Sequence, residues 1–110
     1  MNRRHLVALA LALLTLAVLL SGCAAEYRWV RDGPPAARVQ WIVVAYADLH
    51  KTCGTDSLKA PNLGGCAFYS KDFCTVYSFV DENEASTVMS GDGLDLREHE
   101  LRHCAGFIHQ

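Results

Sequence analysis

The sequence predicts a small α+β domain: a short twisted sheet of about three strands, a backing helix and a C-terminal helix, closed by two disulfides. Three observations predict it. Short β-branched and aromatic runs separate two segments with helical character. The chain has only 110 residues, which limits it to one small core. Its five cysteines become an even four once one is assigned elsewhere, and four suit a small exported core that needs staples.

The hydrophobic fraction of 51% is unevenly spread. Leu6 to Leu20 is apolar except for Thr15, and Arg3 and Arg4 precede it. A basic start, a short apolar run and small residues at Ser21 and Gly22 make a secretory signal over residues 1–22; a spanning helix needs about 20 apolar residues. Without Arg3 and Arg4, 8 basic residues face 12 acidic ones, a net charge of −4 in place of −2. Such an acidic balance argues against nucleic acid as a partner.

Residues 23–37 read as a tether, because Pro34 and Pro35 remove backbone donors and hold the path extended. Tyr27 and Trp29 within it either pack on the domain or sit at a membrane surface. The domain proper is expected over residues 38–110. Arg38 to Ala45 predicts a core strand, and Ala47 to Cys53 a short helix. Gly54 to Gly65 reads as loop. Cys66–Tyr69 and Phe73–Val80 read as a hairpin. Asp81 to Ser90 reads as polar loop, its acidic cluster a solvated turn. Gly93 to Cys104 predicts the last helix, with Asp95 and Glu98 as a capping pair and Asp92 as a second N-cap candidate. No run of alternating oxygen donors supports a calcium loop around Asp92 and Asp95.

The segment His99-Glu100-Leu101-Arg102-His103-Cys104-Ala105-Gly106-Phe107-Ile108-His109 fits H-E-x-x-H-x-x-G-x-x-H at every fixed position. Chance would produce this in on the order of one in a few hundred thousand chains of this length. His99 and His103, four residues apart on a helix, place both imidazoles on one face, where they suit a single zinc ion. Glu100 lies beside them as a general base that is not a ligand. Gly106 permits the positive φ that ends the helix and turns the chain back, bringing His109 round as third ligand. Three ligands leave a fourth position open, as catalytic zinc requires. His50 lies outside the motif, with a surface or packing role. Cys104 is about 100° round the helix from His103 and points toward the domain, so a disulfide is expected of it rather than metal ligation.

These eleven residues resemble the metzincin clan of zinc metallopeptidases. The resemblance implies a zincin-like fold, Zn2+ at His99, His103 and His109, Glu100 as catalytic base and a peptide or protein as substrate. It further implies that the strand Cys74 to Val80 is the edge along which an extended peptide lies. Only Gln110 follows His109, so the methionine-containing turn that metzincins place beneath the metal is expected to be absent. That part of the site is then missing, supplied by a partner chain or built from upstream loops. A non-catalytic zinc-binding lipoprotein, acting as an interaction or metal-capture module, is the alternative.

Leu20-Ser21-Gly22-Cys23 resembles the lipobox of bacterial lipoproteins, which implies lipid on Cys23, a mature chain of 88 residues and a place in the bacterial cell envelope. Ala24 after the cysteine points to the periplasmic side of an outer membrane if the host is Gram-negative. Cys53, Cys66, Cys74 and Cys104 then remain as disulfide candidates. Of the three pairings they allow, Cys66 with Cys74 across the hairpin and Cys53 with Cys104 are expected.

Overall fold

The computed structural model describes residues 2–22 and 28–109, of which 15–22 by backbone alone. Cys23, Tyr27 and Gln110 lie outside the described residues, and with Cys23 the lipidation expected of it. Helix α1 spans Arg3–Gly22. Its leucines at positions 6, 9, 11, 13 and 14 are exposed. Among the described residues no helix is long and apolar enough to cross a membrane.

The remaining elements form a small α+β structure with two sheets and two disulfides. Strands β2 (Val39–Val43), β3 (Gly65–Tyr69) and β4 (Cys74–Ser78) make a three-stranded sheet in the order β2-β4-β3. β4 runs parallel to β2, with Val39 opposite Cys74, and antiparallel to β3, with Tyr69 opposite Cys74. Between β2 and β3 lie a 3-10 turn at Tyr46–Asp48 and helix α2 (Leu49–Cys53), close to the expected helix. Helix α3 (Glu82–Ala85) and helix α4 (Leu96–Cys104) follow. A second, two-stranded sheet pairs β1 (Trp29–Arg31) with β5 (Phe107–His109), Trp29 opposite His109.

Pairing reverses two expectations about the strands. Arg38 to Ala45 reads as a core strand, but β2 is an edge with Val39 and Val43 about half exposed. The central strand is β4, whose Cys74, Val76 and Ser78 are fully buried, so it is not the edge the resemblance implies. β3 pairs only with β4 among the described residues, and β3 is therefore the open edge beside the site.

The core has two parts. Cys74, Val76 and Cys104 form one, and Val80, Ala85 and Leu96 the other. Trp41 touches both, and its Nε1 donates to the Val80 carbonyl at 2.9 Å. The segment 81–90 is not all loop: the Asp81 side chain accepts from Glu84 N at 2.8 Å and starts α3.

The cysteine pairing differs from the expected one. Cys53 bonds Cys66, and Cys74 bonds Cys104. The register explains why: Cys66 sits opposite Tyr77 and Cys74 opposite Tyr69, so the two cysteines stand at opposite ends of the hairpin ladder. Cys66 meets α2 instead, and Cys74 at the start of the central strand meets the end of α4.

Candidate metal centre

Helix α4 begins where the Asp95 side chain accepts from Glu98 N at 2.7 Å, the expected cap. Its buried face carries Leu96, Glu100 and Cys104 at four-residue intervals. His99 and His103 sit one step round from that face, each partly buried. The helix stops at Gly106, whose φ is +94°. A Cβ there would also collide with the Gly33 carbonyl, because residues 32–33 lie directly on the turn and donate to Gly106 O at 2.8 and 3.1 Å. β5 then carries His109 back to the helix. Ligand atoms of His99, His103 and His109 lie within 4.8 Å of one another, so these three side chains can hold a metal ion.

Two of the rings are oriented from behind. His99 Nδ1 donates to Asp92 Oδ2 at 2.9 Å, with the Asp92 side chain fully buried. His103 Nδ1 donates to the Phe107 carbonyl at 3.0 Å. With both Nδ1 atoms engaged, Nε2 is the atom each ring has left for a metal, the usual arrangement behind a ligating histidine. Asp92 therefore does not cap α4 as expected. It accepts from Ser90 Oγ, from Leu94 N at 3.1 Å and from His99. Burial pushes its carboxyl up, but the hydrogen bonds from Ser90, His99 and Leu94 N, with the charge of His99, hold it at about 2.

Glu100 is only 3% exposed, and its Oε2 is buried with no hydrogen-bond partner among the described residues. Burial first, and the Asp92 charge second, push its carboxyl up to about 7. Burial lowers the His103 and His109 rings, with the charge of His99 adding to the effect, and so favours the neutral form that a metal takes. Three imidazoles with an orphaned carboxylate oxygen beside them are a donor set that suits a divalent ion with one open position.

The three histidines and Glu100 line a cleft of about 980 Å³, whose other side includes Gly65, Cys66 and Ala67 of β3. Gly65 is required there: a Cβ would come within 2.8 Å of Tyr77 O, and the same spot lies 3.6 Å from Glu100 Oε1. Cys104 is buried in its disulfide, as the helical offset predicts. His50 stands apart from the cluster, 3.1 Å from Thr55 Oγ1.

Two residues of the centre were not assigned to it from sequence. Asp92 carries only a weak signal there, a carboxylate between Gly91 and Gly93 seven residues before His99. Trp29 carries none, because its place depends on the pairing of β1 with β5. Its ring centroid stands 5.2, 5.2 and 5.1 Å from those of His99, His103 and His109. The chain matches no family model, no curated protein and no solved structure with which it was compared.

Proposed function

We propose that the protein is a lipid-anchored zinc metallopeptidase of the bacterial cell envelope, of metzincin-like, minimal zincin design. The observation that carries this reading is the orphaned, buried Glu100 carboxylate beside three converging histidines, all opening on a cleft along a free strand edge. The anchor rests on the sequence Leu20-Ser21-Gly22-Cys23, with lipid on Cys23 and, in a Gram-negative host, an outer-membrane location facing the periplasm.

Zn2+ held by His99, His103 and His109 would supply Lewis acidity, making water a nucleophile near neutral pH and polarising a peptide carbonyl. The chain's own part is positioning and proton transfer. Glu100 takes the proton from the attacking water and returns it to the departing amine. Asp92 and the Phe107 carbonyl keep the His99 and His103 rings aimed. The outer edge of β3 offers unpaired backbone groups to an extended peptide, and Phe68, half exposed, stands on that strand.

The test is Glu100→Gln in the full chain. Metal analysis should find one zinc per chain in both forms. A broad peptide-library digest should show cleavage by wild type alone. A variant as active as wild type sinks the assignment of Glu100, and one zinc with no cleavage by either form supports a metal-binding module instead.

A further inference from the structure

Trp29 belongs to the stretch that reads as tether, yet it lies against the metal centre. Its centroid is equally far, 5.1 to 5.2 Å, from all three imidazoles, which are themselves 5.1 to 5.2 Å apart. The four rings thus form a nearly regular tetrahedron. A ring at that apex stands either over the open metal position or behind the ligands. Two observations decide between them. Trp29 is not among the residues lining the cleft that Glu100 and the histidines share with β3. Its ring is instead approached by the Arg102 guanidinium at 5.4 Å. At about 100° per residue, Arg102 and Glu100 flank the His99–His103 stripe on opposite sides. Trp29 therefore backs the ligands on the side away from Glu100 and leaves the cleft open.

The strand holding Trp29 is fastened by more than its three pairs. Arg31 Nη1 donates to Gly33 O at 3.1 Å and to Ala105 O at 3.3 Å, and its guanidinium covers the Phe107 ring at 4.4 Å. Ala36 N donates to Cys104 O at 2.8 Å, and the Tyr69 hydroxyl donates to Pro34 O.

We propose that Trp29 is a positioning residue for the metal centre: strand β1 carries its indole under His99, His103 and His109 as the wall that holds the three rings converged. This rests on the reading of the cluster as a metal site. Because Trp29 meets His109 across the β1–β5 pair, metal binding and docking of the N-terminal segment are linked, each favouring the other.

The experiment compares the full-length wild type with Trp29→Ala and Trp29→Phe, in detergent. Zinc affinity is read by competition with a chromophoric chelator, the ligand field by the visible spectrum of the Co2+ form, and fold by thermal unfolding of the metal-free proteins. Expected for Trp29→Ala is a loss of zinc affinity of about 10- to 100-fold, the range seen when supporting partners of a metal site are removed, with an altered Co2+ spectrum. Trp29→Phe, which keeps a ring, restores both. Equal zinc affinity and an unchanged Co2+ spectrum in Trp29→Ala overturn the proposal, as does a Phe variant no better than Ala. Should Trp29→Ala fail to fold, emission decides: one equivalent of Co2+ should strongly quench a component that wild type has and Trp29→Phe lacks. Equal fractional quenching in the two overturns the role. A wild type that takes up neither zinc nor cobalt removes the metal centre itself, an outcome distinct from a site that loads but ignores Trp29.

Discussion

The two sides of helix α4 are held by different means. On the inner side, Leu96 packs on Val80 and Ala85, Glu100 faces Gly65 of β3, and the Cys74–Cys104 bond ties the helix to the central strand. On the outer side, a two-stranded sheet of three residues per strand brings Trp29 and His109 to the helix by hydrogen bonds and ring contacts. A two-stranded ribbon is marginal on its own, so the outer side needs other contacts to stay in place. The inner side is a stapled scaffold that holds one carboxylate buried. The outer side is a clasp that a metal ion would tighten.

Breaking the scaffold should have the largest effect. Cys74→Ala with Cys104→Ala opens a bridge between residues 30 apart in sequence and should cost about 3 to 4 kcal/mol. Thermal unfolding against wild type measures it. Removing Cys53–Cys66, with a separation of 13, should cost less, about 3 kcal/mol, because the loop is shorter. The reverse order would mean that the inner side does not rest on its staple.

The buried carboxylate supplies a second test, on the metal-free protein. The Glu100 carboxyl is raised to about 7, against 4.5 as its ordinary value, so the folded state binds this proton more tightly than the unfolded chain. Its contribution is fully present below about pH 4.5 and is lost as pH rises through 7. Wild type should therefore lose on the order of 3 kcal/mol between pH 4.5 and 7 relative to Glu100→Gln. Denaturant unfolding of both metal-free forms across that range reads the difference. Parallel curves would show that the inner side does not strain Glu100. Zinc should flatten the slope, since a nearby cation favours the carboxylate.

The smallest expected effect lies behind His99. Asp92→Asn keeps the shape of the side chain and removes the charge facing His99, and zinc affinity should fall about 10-fold or somewhat more. Competition titration measures it, and the thermal midpoint of the disulfide-linked scaffold serves as control. Unchanged affinity would show that His99 needs no carboxylate to hold its ring.

Local signals were the ones readable in sequence. The spacing of His99 and His103, the Asp95–Glu98 cap, the stop at Gly106 and the hairpin 66–78 all depend on residues a few positions apart. The inward turn of Cys104 followed from the helical period as well. What failed was whatever depended on lateral order. An apolar run such as Trp41 to Val44 reads as core whether it is central or at an edge. Cys66 and Cys74 look like hairpin partners until the register places them at opposite ends of the ladder. Asp92 and Asp95 are alike as N-cap candidates, and only Asp95 caps. The other is drawn away because a buried His99 Nδ1 needs an acceptor, and that need arises only after folding.

By itself, the sequence determined the helix that carries two histidines and a glutamate, the turn that returns the third histidine, and the four cysteines available to staple a small core. Periods of 3.6 and 2 residues and the freedom of glycine at positive φ are properties of the local chain, so those features needed no tertiary context. Tertiary structure alone decided that β3 is the edge beside the site, which cysteines meet, that Asp92 supports His99, and that Trp29 lies against all three histidines. Each of these joins elements far apart along the chain. Their meeting is set by strand register and by the competition of buried polar groups for partners, which no spacing in the sequence encodes.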